Sequence, residues 1–217
     1  KEFMIITEKE AEEFLQHHGF PVLKRIFCTT LSQCTAAAKR IGYPVAMKIS
    51  SKKILHKSDV GGVVLNIIQP SQLAKAFRHM KKIRGFEGVL VQQYIIGDCL
   101  LLGLQKDASF GHAIALGSGG IYTEVLKDVS FRVCPLTKED AQDMLREIKM
   151  YPVVMGMRGC KNHDREVIAL LLKLSALSQH YPMIKELDIN PLILHEHGIA
   201  VADARIILEE KLVLPLL

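Results

Sequence analysis

The apolar residues of this chain come in short runs, and the longest of them, Val167 to Leu174, is broken by Lys173. A membrane-spanning helix needs about 20 consecutive apolar residues, so no run here is expected to cross a bilayer. Short runs build strands and one-sided helices, which are stable only when packed on one another. The 217 residues, 49% apolar and 24% charged, suffice for one large domain or two apposed lobes and argue against disorder. Local signals then order the runs. Thr7-Glu8-Lys9-Glu10 is a capping box, which predicts a helix to about His17, stopped at Gly19. A strand follows at Arg25–Cys28, then a helix from Thr30 to Ile41 ending at Gly42. Strands are expected at Val45–Ile49 and Val63–Ile68, a helix from Pro70 to about Arg84, and an apolar strand at Gly88–Tyr94. The second half predicts strands at Leu100–Gln105 and His112–Leu116 and helices from Thr137 to about Lys149 and from Asp164 to about Gln179. Short strands at Glu186–Ile189, Ile193–His195 and Ile199–Ala202 close the chain. The pattern is α+β, with antiparallel sheet in the second half and no compositional linker.

Composition removes several functions. Five cysteines, an odd number without CxxC spacing, argue against a zinc module or disulfide framework and for a reducing compartment. The net charge of +5 is scattered, tryptophan is absent and aromatics make up 6%; nucleic-acid binding therefore has little support. The N-terminus shows no signal-peptide pattern, and its opening Lys suggests either a native start at Met4 or a segment of a longer chain.

Two standard phosphate-binding motifs are missing: there is no GxxxxGK[ST], and Gly117-Ser118-Gly119-Gly120 has Tyr122 where GxGxxG needs its third glycine. The stretch from Lys48 to Val63 holds a different set. Lys48 near a strand end would neutralise phosphate oxygens as a point charge. Gly61-Gly62 would let backbone N–H groups approach a phosphate. His56, neutral near pH 7, would offer a ring nitrogen as phosphoryl acceptor. The plain alternative is a glycine turn with a solvated histidine. Farther on, Asp188 and Asn190 share one face of a strand, and Asp203 follows on the expected paired strand; Mg²⁺ takes such oxygen ligands together with nucleotide phosphates. Here the alternative is an Asn190-Pro191 turn and an Asp203–Arg205 ion pair. The pairs His17-His18 and His195/His197 fall at element ends and are expected to be solvated.

The run Lys48 to Asn66, with K-I-x-S…I-x-H-K-S-D-x-G-G-V-x-L-N, resembles the ATP-grasp part of the NDP-forming acyl-CoA synthetases, the ADP-forming acetate–CoA ligase family, related to succinyl-CoA synthetase beta. Further blocks follow in order: Gly88–Gln92, Phe110-Gly111, Gly117–Arg132, Tyr151-Pro152, Met157–Gly159, Leu187–Leu192 and Val201–Arg205. The resemblance implies an ATP-grasp fold of two lobes with a nucleotide cleft between, divided as an N-terminal helix (1–19), an N-terminal lobe (20–88), a C-terminal lobe (89–210) and a tail (211–217). It implies the reaction carboxylate + CoA + ATP ⇌ acyl-CoA + ADP + phosphate, with His56 phosphorylated in turnover and ATP/ADP and Mg²⁺ as nucleotide and metal.

By the same resemblance, Gln92, Gln93 and Tyr94 form the adenine hinge, Arg132 belongs to the nucleotide-contacting set, and Asn190 and Asp203, with Asp188 beside them, hold the metal. CoA and acyl phosphate are handled by a CoA-binding alpha subunit or fused domains, which implies a cytoplasmic hetero-oligomer or multidomain chain with no membrane or nucleic-acid role. One position departs from the pattern: the acidic residue expected seven places after Gln92 is Cys99, so the ribose contact is expected either to loosen or to move to Asp98. Two competitors remain open, an ATP-grasp ligase that forms acyl phosphate directly and a non-catalytic module of the same fold.

Overall fold

A computed structural model of the chain describes residues 3–51, 53–54, 57–120, 128–157 and 161–209. The chain divides into two compact units, one running Leu23–Ile95 and the other taking the chain to Val22 and from Ile96 onward.

The smaller unit contains β2 (Arg25–Cys28), α2 (Leu31–Ile41), β3 (Val45–Ser50), β4 (Val63–Ile67), α3 (Pro70–Met80) and β5 (Gly88–Gln93). Its four strands form an antiparallel sheet in the order β2-β5-β3-β4. Thr30 caps α2, accepting from the Gln33 N–H while the Gln33 side chain reaches back. Val45, Met47, Ile49, Val89 and Val91 share a core with Leu73, Phe77 and Met80 of α3 and Cys34 of α2. The alternate residues, Ala46, Lys48 and Ser50 on β3 and Leu90 and Gln92 on β5, therefore occupy the opposite face. They too are buried.

The larger unit begins with β1 (Met4–Ile5) and α1 (Glu8–His17) and resumes with β6 (Asp98–Asp107), β7 (Gly111–Ser118) and β8 (Val129–Val133). It continues through α4 (Lys138–Glu147), α5 (Tyr151–Val154), α6 (Asp164–His180), β9 (Ile184–His195), β10 (Gly198–Val201) and β11 (Ala204–Leu208). The sheet order is β1-β11-β9-β6-β7-β8, with β10 also on β9. Thr7 and Thr137 cap α1 and α4 with reciprocal boxes, each worth about 1 kcal/mol. The helices cover one face: Phe14, Leu15, Met144, Leu145, Leu170, Leu171 and Leu174 pack on Leu100, Leu102, Ile114, Leu187, Ile189 and Ile206.

Several expectations shift. The N-terminal helix joins the larger unit because α1 packs on β11. The lobe boundary expected between 88 and 89 falls after Ile95, because β5 is a central strand of the smaller sheet. The helix expected to reach Arg84 stops at Met80. Strands β1, β8 and β11 were not foreseen. Most consequential is β9, which runs unbroken from Ile184 to His195 where Pro191 had suggested two separate strands.

Candidate functional site

In the smaller unit the register gathers two of the expected residues. Lys48 faces Leu90 and Ala46 faces Gln92 across the β3–β5 ladder, so Lys48 and Gln92 are diagonal neighbours on the face away from the helices, with Cα atoms about 7–8 Å apart. Both are sequestered, Lys48 at 5% exposure and Gln92 at 1%. Gln93 and Tyr94 follow at the strand end, and their N–H groups are already engaged: Gln93 donates to the Lys24 carbonyl at 2.8 Å and Tyr94 to that of Pro44 at 3.2 Å. The N–H groups of both residues are thus spent within the smaller unit.

Gly61 and Gly62 do not present a phosphate cradle. The Gly62 N–H donates to the Lys57 carbonyl at 2.7 Å and the Gly61 N–H to that of Ser58 at 3.1 Å. This is the paired closure of a Schellman motif, with Gly61 at φ +68 as the left-handed residue. A Cβ on Gly62 would lie 2.4 Å from Ile49 Cγ2, so the second glycine is required by packing. Both donors are spent inside the turn. His56 immediately precedes this motif and lies outside the described residues.

In the larger unit the decisive feature is a bulge. Leu100 faces Leu192 and Leu102 faces Ile189, so Asn190 and Pro191 on β9 together oppose Leu101 on β6. Such an insertion re-aims side chains at a strand's midpoint. On the other side of β9, β10 ends at Val201 and β11 begins at Ala204. Ala202 and Asp203 bridge that gap opposite the bulge: the Asn190 N–H donates to the Asp203 carbonyl at 3.2 Å, and the Ala202 N–H to that of Pro191 at 3.1 Å. Asn190 and Asp203 are thus direct cross-strand neighbours. Asp188 precedes them on the same face of β9, opposite Arg205. Arg205 forms its ion pair with Glu186.

This donor set suits a hard divalent cation, which asks for one or two carboxylate or amide oxygens from the protein and takes the rest from phosphates and water. Burial raises the Asp188 carboxyl to about 6, Glu186 and Asp203 push the same way and Arg205 opposes them. Crowded carboxylates of this kind are what a cation would relieve. Among the described residues no group of three or more His, Cys, Asp or Glu side chains could hold a metal; the candidate set is two carboxylates and an amide.

Asn190 has one more partner, which the sequence reading missed. Its Oδ1 accepts the Gly120 N–H at 3.0 Å, and Gly120, at φ +66, sits against Cys99, whose Cβ would be 3.6 Å from a Cβ built there. The failed GxGxxG match was the only local hint that this turn had a task. The same geometry corrects the ribose expectation. Cys99 faces Ile193, on the Asn190 side of the sheet, whereas Asp98 faces Leu194, whose side chain joins the core under the helices. Asp98 therefore does not share the Asn190 face of the sheet. The Cys99 thiol stands there instead, its pKa raised by burial and by the Asp98 charge.

Arg132 is also placed away from the metal set. It alternates with Phe131 on β8 and lies opposite Ile114, a core residue on the helix side. There it forks onto Glu147 of α4, with Nη1 3.1 Å from Oε2 and Nη2 on Oε1. Its partner is structural. Of the histidine pairs, His195 and His197 lie at the β9–β10 hairpin, whereas His18 is engaged through Phe14 O at 2.8 Å and Tyr181 Oη at 2.9 Å rather than solvated.

Comparison with known proteins now decides the family. Residues 2–208 match the family model described as an ATP-grasp domain. The chain is 42% identical over 212 residues to the acetate–CoA ligase [ADP-forming] I subunit beta of Pyrococcus furiosus, covering 94% of this chain and 91% of that one. This chain belongs to the ATP-grasp family of those ligases. It is also 41% identical to the acetate–CoA ligase [ADP-forming] II of Archaeoglobus fulgidus, covering 96% of this chain but only 31% of that longer protein. Among solved structures, a dinucleotide forming acetyl-coenzyme A synthetase 1 of Ca. Korarchaeum cryptofilum matches with a TM-score of 0.80 at 36% identity, covering 93% of this chain and 92% of that one. That neighbour was solved with coenzyme A and Mg-AMPPCP, its phosphohistidine segment pointing towards the nucleotide binding site. This ATP-grasp chain thus spans nearly all of a separate beta subunit and about a third of a single-chain ligase.

Proposed function

We propose that this chain is the nucleotide-binding, phosphohistidine-forming component of an ADP-forming acyl-CoA synthetase, catalysing with its partner carboxylate + CoA + ATP ⇌ acyl-CoA + ADP + phosphate. The observation that carries the reading is the segment Ile54 to Val63, in which His56 leads directly into the glycine-closed turn between β3 and β4. A neutral ring nitrogen of His56 attacks the γ-phosphorus of ATP, the bond from that phosphorus to the β–γ bridging oxygen breaks, and ADP departs with the electron pair. The P–N bond formed keeps enough transfer potential for the step to run in reverse. Lys48 neutralises phosphate charge, and Gln92 with the hinge carbonyls reads the base. Asn190, Asp203 and Asp188 would hold Mg²⁺, which would supply neutralisation of phosphate charge.

CoA and the acyl phosphate belong to a CoA-binding partner, either an alpha subunit or domains fused in the same chain. The cytoplasm, where such substrates and reduced thiols are found, is the proposed location; no helix among the described residues is long and apolar enough to cross a membrane. Incubation with γ-³²P ATP tests the proposal. The expected label is acid-labile and base-stable and disappears in His56→Ala; label surviving that substitution would reject His56 as the carrier.

A further inference from the structure

The glycine turn that donates to Asn190 is itself anchored at one buried carboxylate. Asp128 is 6% exposed, and its two oxygens serve different elements: Oδ2 accepts from Ser118 Oγ at 2.7 Å and Oδ1 from the Lys149 N–H at 2.8 Å. Its carbonyl also accepts the Ser118 N–H at 3.0 Å. These three bonds tie the end of β7 to the turn after α4. From Ser118 the chain has little room to move. Gly119 donates to the Cys99 carbonyl at 2.8 Å, and a Cβ on it would lie 2.4 Å from the Leu100 backbone. Gly120 comes next, and its N–H meets Asn190 Oδ1.

That last bond has a chemical consequence. The two ends of an asparagine amide are nearly the same shape, but only the oxygen ligates a cation. An N–H donor on one side selects the oxygen, which keeps a second lone pair for the metal. We infer that Asp128 is a positioning residue for the metal–nucleotide site, acting through Ser118 and the Gly119-Gly120 turn to fix the orientation of the Asn190 amide. The inference rests on the reading of Asn190 as a magnesium ligand. It assigns to Asp128 and Ser118 the outer-shell role that elsewhere tunes metal affinity.

The test is Mn²⁺ binding to the full chain in the presence of ADP, followed by electron paramagnetic resonance, with thermal melting of each variant alongside. Asn190→Ala should weaken Mn²⁺ binding by well over tenfold, and Ser118→Ala and Asp128→Asn each about tenfold, the low end of the range for outer-shell substitutions. Ser118→Ala added to Asn190→Ala should weaken it no further, because both act on one chain of contacts. Wild-type affinity in Ser118→Ala and Asp128→Asn, with Asn190→Ala weakened, would overturn the inference and leave the magnesium reading standing. Unchanged affinity in Asn190→Ala would instead overturn the reading on which it rests. Ser118→Ala, which removes one hydroxyl, decides the matter if Asp128→Asn does not fold.

Discussion

Gly61-Gly62 and Gly119-Gly120 are the same dipeptide in two turns, one before β4 and one after β7, yet their N–H groups point to different tasks. In the first turn both donors bond carbonyls of the preceding four residues and stop a short helical turn. In the second, one donor reaches the neighbouring strand at Cys99 and the other reaches the side chain of Asn190. Paired glycines permit a conformation and a close approach; whether they also bind depends on where their hydrogen bonds are spent. The first pair is a terminator that follows His56. The second is a connector that reaches Asn190 on β9.

This contrast is broken or sharpened by substitution. Gly119→Ala should cause the largest effect, because its Cβ would lie 2.4 Å from the carbonyl carbon and oxygen of Leu100 and backbone cannot swing aside; about 3 kcal/mol is expected in urea unfolding, with Mn·ADP binding weakened as well. Gly62→Ala meets the Ile49 side chain at the same 2.4 Å, so about 2 kcal/mol is expected, with Mn²⁺ affinity in the presence of ADP unchanged. Equal effects on metal binding from both substitutions would erase the distinction.

A second test is the pH dependence set by Asp188. Its folded-state carboxyl is raised from 3.8 to about 6, so between these values the native state holds a proton that the unfolded chain has released. The metal-free chain should therefore gain stability from this group as pH falls from about 7 to about 4, on the order of 2 kcal/mol. Mg²⁺ affinity should move the other way, weakening as pH drops through about 6, since a protonated carboxyl is a poor ligand. Asp188→Asn should abolish this contribution to the stability slope, as read by urea titrations across the range. Arg132→Ala should have the smallest effect. Its fork with Glu147 is part-exposed, 31% and 46% for the two side chains, so about 0.5–1 kcal/mol is expected and no change in nucleotide affinity. A large loss of Mg·ADP binding would return Arg132 to the site.

What the sequence announced was mainly local. Thr7, Thr30 and Thr137 each signalled a helix start that the fold keeps, because a capping box is satisfied within four residues and needs no tertiary partner. The run Val45–Ser50 made Lys48 visible as a charged residue near the end of a largely apolar strand. Adjacency in space was harder to read. Pro191 suggested a strand break, but Pro lacks only an N–H, and its carbonyl still accepts from Ala202, so β9 continues through the bulge. Asp98 looked like a substitute for Cys99 because the two are neighbours in sequence, yet successive residues of a strand face opposite sides. The bond from Gly120 to Asn190 joins positions 70 residues apart, and no local pattern encodes it.

The central claim is that this chain passes a phosphoryl group between nucleotide and His56 before any acyl substrate is involved. Exchange of labelled ADP into ATP, catalysed by the chain with Mg²⁺ but without carboxylate or CoA, measures that half-reaction directly. The account predicts exchange in the wild type, lost in His56→Ala. Exchange that appears only when carboxylate is added, or that persists in His56→Ala, would contradict it.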